Sequence, residues 1–138
     1  IQLLEWQDLN SLPFENQEFD FIYGLQCIYY NVDLPRILSE IKRCLKKDGH
    51  FAFSFFSNKH DYHKYSDILE ESDLTSTVKW SDNHPNPRIR GAVITQPKSK
   101  ECLDKLFSGF GERRIFTEET DFSPMFESWW YIYGKSGK

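Results

Sequence analysis

Apolar residues in this chain recur at two spacings, and the changes between them mark out its elements. Ile1 to Glu5 has the apolar character of a short strand, and residues 6–18, with Pro13 and many polar side chains, read as a loop. Phe19 to Gln26, FDFIYGLQ, is apolar, aromatic and β-branched, which predicts a strand buried on both faces. The period then changes. Leu34, Ile37, Leu38, Ile41 and Leu45 repeat at the spacing of a single helix face. Asp33 stands at the N-cap and Pro35 in the first turn, where its missing N–H costs nothing. Gly49 predicts a left-handed stop after Lys46, Lys47 and Asp48, giving a helix over 34–47. His50 to Phe56 is a second continuous apolar strand. Strand, helix and strand at this separation predict a βαβ unit with parallel strands and a right-handed crossover.

Beyond Phe56 the pattern loosens. Residues 62–71 predict a helix, WSDNHPNPR a run of turns, and RIRGAVIT a short strand. Residues 98–107 predict a helix with Leu103, Leu106 and Phe107 on one side. Glu112 to Thr117 and Trp129 to Gly134 predict an antiparallel pair at a sheet edge. The pattern shows neither an internal repeat nor a low-complexity segment.

Composition narrows the class. A chain of 138 residues with 39% hydrophobic and 28% charged residues is expected to form one globular domain. No apolar run reaches the roughly 20 residues that span a bilayer, so no membrane partner is expected. A net charge of −4 and a pI near 5.6 argue against a nucleic-acid partner. The densest basic run, Lys42, Arg43, Lys46 and Lys47, falls on the last turns of the predicted helix, where cations suit the macrodipole. Cys27, Cys44 and Cys102 are far apart and form no CxxC pair, so a reducing, cytoplasmic setting is expected. HDYH at 60–63 has a helical spacing, but no further ligand completes a metal set, and no metal is expected.

An ordered series of short words links the first half of the chain to a known family. The series is Asp8, Leu12-Pro13-Phe14, Phe19-Asp20, the predicted helix, Leu45-Lys46-Lys47-Asp48-Gly49, and FAFSFF. It resembles the second half of the core of class I S-adenosylmethionine-dependent methyltransferases, in register over about residues 1–56. The elements from residue 98 onward are similar to the family's closing ones. The resemblance implies an α/β fold, a partial Rossmann-like doubly wound sheet with parallel strands plus a C-terminal antiparallel pair. It implies S-adenosyl-L-methionine as cofactor, and the acidic charge without a nucleic-acid footprint favours a small molecule as methyl acceptor. Residues 1–138 would form a single, incomplete methyltransferase domain, with 57–97 as a substrate-covering insertion.

The resemblance also implies where the site lies. Asp8 matches the position that accepts from the adenine amino group, and Leu9 packs beside the ring; alternatively Asp8 caps its own turn. Gly24, Leu25 and Gln26 fall at the carboxyl end of the second strand, where open α/β sheets bind ligands. Gly24 would admit a ligand close to the backbone or else mark a kink, and Leu25 matches a position touching the methionine part of the cofactor. Asp20 opens that strand at the far end and reads as structural. Tyr29 and Tyr30 stand where many family members carry histidines, and would wall the transfer site or pack in the core. A tyrosine titrating near 10 is a poor base at neutral pH, so no catalytic base is assigned. Acceptor contacts are expected from 57–97, chiefly His60 and Arg90, with His63, Trp80 and His84 in the same stretch.

The family's glycine-rich turn has no counterpart here. The one GxG, Gly109-Phe110-Gly111, follows a helix instead of a strand and reads as a helix stop. Taken alone, the chain is expected to aggregate or to require further sequence. Two other classes remain open at this point. One is a methyltransferase-like module used for binding or assembly. The other is a nucleotide-binding domain of an oxidoreductase, against which the Asp8 to Pro13 loop and the closing strand pair argue.

Overall fold

The computed structural model describes residues 11–137; the expected strand at Ile1 to Glu5 and the positions Asp8 and Leu9 lie outside the described residues. Two sheets form. The first has the order β1 (Phe19–Gly24), β2 (Leu45–Phe56), β7 (Phe126–Lys135), β6 (Arg113–Asp121). β1 and β2 are parallel, with Ile22 opposite Phe51 and Gly24 opposite Phe53; β7 runs antiparallel to both β2 and β6. This is the expected α/β arrangement of a βαβ unit closed by an antiparallel pair. Among the described residues no helix is long and apolar enough to cross a membrane.

Helix α1 (Leu34–Cys44) joins β1 to β2. The Asp33 carboxylate accepts from the Arg36 N–H at 3.2 Å, and Leu34, Ile37, Leu38 and Ile41 form its buried stripe. The helix stops three residues short of the predicted 47. Leu45, buried and extended, enters the sheet opposite Phe19 instead. Asp48, not Gly49, takes the left-handed conformation, at φ 60°. A side chain at Gly49 would come within 2.9 Å of the Lys46 carbonyl, so close backbone approach is what requires glycine there.

Only half of the basic run is a helix-end cluster: Lys42 and Arg43 lie in the last turn of α1. Lys46 and Lys47 lie in β2, and Lys46 pairs with Asp20 at 2.8 Å. Lys42 donates to the Gly109 carbonyl. Arg43 holds the preceding loop, donating to both Glu40 carboxylate oxygens, to the Phe14 and Leu12 carbonyls and to Asn16 Oδ1, all within 3.1 Å.

The expected helix over 62–71 is not there. A single 3₁₀ turn at Asp61–Tyr65 leads into β3 (Ser66–Glu71), which pairs with β4 (Thr75–Trp80), and β4 pairs with β5 (Val93–Pro97). SDILEE offers a helix no apolar stripe to bury, because its apolar residues, Ile68 and Leu69, are adjacent and exposed. Pairing with TSTVKW satisfies the backbone instead, and there Val78 and Trp80 point alternately into the core. β5 keeps only the end of the predicted strand RIRGAVIT, since Pro87–Ile89 is a second 3₁₀ turn. Helix α2 (Lys100–Leu106) is capped by Ser99 and tied to β6 by a two-pronged Arg113–Asp104 pair at 2.7 and 3.0 Å.

One face of the first sheet carries Phe51, Phe53, Phe55 and Ile132, all buried, with Phe107 and Phe110 packed on the phenylalanines. The opposite face leaves Phe21, Tyr23, Phe116 and Tyr133 exposed. The expectation that β1 is buried on both faces is corrected: only Ile22 and Gly24 turn toward the core side.

Candidate functional site

The carboxyl ends of β1 and β2 lie side by side, and the chain there is held in a constrained shape. Gln26 adopts φ 57°, uncommon for a residue other than glycine, and its N–H donates to the buried Ser54 hydroxyl at 2.7 Å. Leu25, just before it, is exposed. Gly24 is buried, and the space its missing side chain leaves is already filled: a Cβ would stand 3.0 Å from the Phe53 ring and 3.2 Å from the Cys27 sulfur. Close packing against Phe53 and Cys27 is therefore what a side chain at this position would meet.

Directly after this corner a 3₁₀ turn, Ile28–Tyr30, sends Tyr29 inward. Its ring lies 4.7 Å from Phe56 and 4.9 Å from Tyr30. Phe56 stacks on Trp129 at 4.4 Å and meets His60 edge-on at 4.9 Å. Tyr29 and His60, predicted from opposite ends of the candidate region, thus share one wall. Burial pushes the Tyr29 phenol well above its ordinary range and raises Tyr30 and Tyr62 as well. None of these rings is a base near neutral pH. Burial likewise raises the Cys27 thiol, which removes it as a thiolate nucleophile.

The wall continues into the second sheet through Tyr62. Its ring is 4.6 Å from His60, 4.3 Å from His84 and 5.9 Å from Trp80. Arg90 joins from the β4–β5 connection, its Nε donating to the His84 carbonyl at 2.9 Å. The turn carrying Tyr62 is anchored by Asp61, which accepts from the Phe126 N–H at 2.7 Å and pairs with Lys64. All four predicted acceptor-side residues, Tyr29, Tyr30, His60 and Arg90, belong to this one chain of contacts. Tyr62, Phe56 and Trp129 belong to it too and escaped sequence reasoning: Tyr62 because its segment read as helix, the other two because they read as strand core.

Hydrogen bonding fixes the histidine tautomers. His60 Nδ1 accepts from the Tyr62 N–H at 3.1 Å, and His84 Nδ1 accepts from the Asn86 N–H at 3.0 Å, so in each neutral ring the proton sits on Nε2. Burial lowers His60 to about 4 and lowers His84 too, so both are neutral at pH 7. His63 is the reverse case: its Nε2 donates to the Ser57 carbonyl at 2.6 Å and its Nδ1 accepts from Gln96. Among the described residues, the buried donors His60 Nε2, His84 Nε2 and Trp80 Nε1 have no acceptor, and the buried acceptor Gln96 Oε1 has no donor. Each such group ordinarily costs about 1–3 kcal/mol.

Comparison with known proteins bears on the family and the fold. A family model described as a methyltransferase domain matches residues 3–53. Over 102 residues the chain is 30% identical to the probable phthiotriol/phenolphthiotriol dimycocerosates methyltransferase 2 of Mycobacterium ulcerans, covering 71% of this chain and 37% of that protein. An S-adenosylmethionine-dependent methyltransferase of Methanosarcina mazei superposes with a TM-score of 0.63 at 16% identity, over 95% of this chain and 65% of that one. The family model and the shared fold support one family. It is that of the class I S-adenosylmethionine-dependent methyltransferases.

The likeness extends to the Burkholderia thailandensis 1,6-didemethyltoxoflavin-N1-methyltransferase, whose structure holds 1,6-didemethyltoxoflavin and S-adenosylhomocysteine. Its TM-score is 0.61 at 12% identity, over 94% of this chain and 48% of that one. The chain spans little more than a third of the length of the curated relatives it matches. In this methyltransferase-family chain, then, the carboxyl ends of β1 and β2 and the aromatic–histidine wall are the candidate site.

Proposed function

We propose that the chain supplies the acceptor side, and part of the cofactor side, of a cytoplasmic enzyme that transfers a methyl group from S-adenosylmethionine to a small molecule. Residues 1–138 would form one incomplete domain, with 57–97 covering the acceptor. The observation that carries this reading is the meeting of the constrained Leu25–Gln26 corner with the Tyr29–Phe56–His60 wall at the carboxyl ends of two parallel strands. Relatives of named activity support a small acceptor, the Burkholderia enzyme holding 1,6-didemethyltoxoflavin among them. The acidic net charge favours a small molecule over a nucleic acid.

The residues present fit the cofactor. Electron-rich ring faces at Tyr29 and Tyr30 suit a sulfonium cation, and exposed Leu25 offers an apolar contact at the strand end. Gln26 would hold its backbone alongside, while Asp8 and Leu9 would take the adenine. When bound, S-adenosylmethionine supplies an electrophilic methyl group on sulfur. The wall positions the acceptor and excludes water. Holding two reactants in line supplies on the order of 7–11 kcal/mol of a barrier, so this role suffices without a base.

Calorimetry with S-adenosylhomocysteine on the full-length protein tests the reading. Binding is expected, and Asp8→Ala should weaken it roughly 10–100-fold, the worth of a hydrogen bond to a charged group. Failure of the full-length protein to bind would remove the enzyme reading; unchanged affinity in Asp8→Ala would remove only the adenine assignment.

A further inference from the structure

Three donors in one cluster lack acceptors, and their surroundings say what they lack. His60 and His84 are 2% and 0% exposed, Trp80 is 0% exposed, and all three rings touch Tyr62. The backbone N–H groups of Tyr62 and Asn86 occupy the Nδ1 atoms, so each imidazole can only donate through Nε2. Buried polar groups in folded proteins are almost always paired. The Asp61 carboxylate, whose charge reaches His60, is already taken by the Phe126 N–H and Lys64. Gln96 Oε1, a buried acceptor itself without a partner among the described residues, belongs to an amide turned to His63, so the three donors match an incoming group that accepts. Arg90, bonded to the His84 carbonyl, adds positive charge at the same place.

Resting on the methyltransferase reading, we propose that His60, His84 and Trp80 form a subsite for a carboxylate oxygen of the methyl acceptor, with Tyr62 as the movable ring that covers it. Tyr62 is the part-exposed member of the cluster, on a five-residue turn none of whose residues is buried. Swinging it outward uncovers the three N–H groups without disturbing either sheet. The oxygen then receives their hydrogen bonds, and the adjoining wall of Tyr29 and Phe56 holds the acceptor's apolar part toward the carboxyl ends of β1 and β2. The acceptor class is thus a small apolar or aromatic acid. Neutral imidazoles suit this role, because they donate without adding a proton to the ligand.

The test is nitrogen-15 NMR of the full-length protein saturated with S-adenosylhomocysteine, titrated with formate and with benzoate. The expected result is a saturable downfield shift of the His60 and His84 Nε2 protons and the Trp80 indole proton, with millimolar or tighter affinity. His84→Phe should weaken benzoate at least tenfold and leave S-adenosylhomocysteine affinity unchanged. Should that variant not fold, the wild-type titration decides by itself. Ring protons that stay shifted upfield and ignore both acids would show the donors satisfied by aromatic faces and overturn the subsite. If the acids shift these protons but S-adenosylhomocysteine does not bind, the anion subsite stands and the methyltransferase reading falls.

Discussion

Both faces of the four-stranded sheet carry aromatic rings, and the two are unequally used. On one, Phe51, Phe53 and Phe55 meet Phe107 at centroid distances of 5.3, 5.9 and 6.3 Å, and every one of these rings is buried. On the other, Phe21 stacks on Tyr23 at 5.6 Å and Phe116 on Tyr131 at 4.8 Å, yet Phe21, Tyr23 and Phe116 remain 52%, 66% and 48% exposed. Ring pairing along and across strands is common to both faces. The second layer differs, and the magnitudes show why that decides. A ring pair is worth about 0.5–1.5 kcal/mol beyond its burial. Burying a phenylalanine fully is worth roughly 1.5–3 kcal/mol. Packing of α1 and α2, not aromatic content, is what makes the first face a core.

The largest expected effect therefore lies on the covered face. Phe107→Ala removes a ring in contact with Phe51, Phe53, Phe55 and Phe110. It should cost about 3–5 kcal/mol, the range for deleting a buried aromatic side chain. Phe116→Ala on the open face, where the ring meets Tyr131 and Tyr133, should cost about 1 kcal/mol or less. Urea unfolding of the two variants measures both, and equal losses would mean that the open face is itself part of a core.

At the carboxyl end the contrast between faces disappears, because the second sheet covers Phe56 and Trp129 and buries His60 and His84 with them. That covering has a pH signature. His60 is lowered by burial to about 4 against an ordinary value near 6.5, with His63 and His84 adding to the shift and Asp61 opposing it. The unfolded chain binds this proton more readily than the folded one. Stability is then complete above about pH 6.5 and falls as pH drops toward 4, by roughly 3 kcal/mol for the full shift. Thermal unfolding between pH 7.5 and 4.5 should show the decline, and His60→Gln should flatten it. A profile that stays level in the wild type would place His60 in contact with water.

Which parts of this picture the chain announces follows from the same physics. The βαβ unit is legible because Leu34, Ile37, Leu38 and Ile41 form an apolar stripe behind the capping Asp33. The closing strands are legible because RRIFT and WWYIYG alternate or run apolar, although β6 continues to Asp121, past the predicted end at Thr117. Residues 62–71 misled because a short polar segment between aromatic residues has helical spacing by chance, and its partner TSTVKW declares itself only through pairing. At the site, Tyr29, Tyr30, His60 and Arg90 could be picked out by position relative to the strands. Tyr62 could not, since its importance comes from touching His60, His84 and Trp80 at once, a relation among residues up to 24 positions apart that no local pattern encodes.

The smallest effect on stability is expected where the exposed rings are most numerous. Tyr23 pairs opposite Ala52 in β2 and, among the described residues, stacks only on Phe21, so Tyr23→Ser gives up one ring pair and little burial. Its cost should stay within about 0.5 kcal/mol, as for surface positions generally. Association is another matter. Contiguous exposed apolar surface drives self-association, so the same substitution should raise the concentration at which the protein stays monomeric and lower its binding of a hydrophobic dye. Light scattering and dye fluorescence on matched samples read both. A Tyr23→Ser protein that unfolds about 2 kcal/mol more easily would show that this ring is buried in solution, and the distinction between the two faces would fail at its most exposed residue.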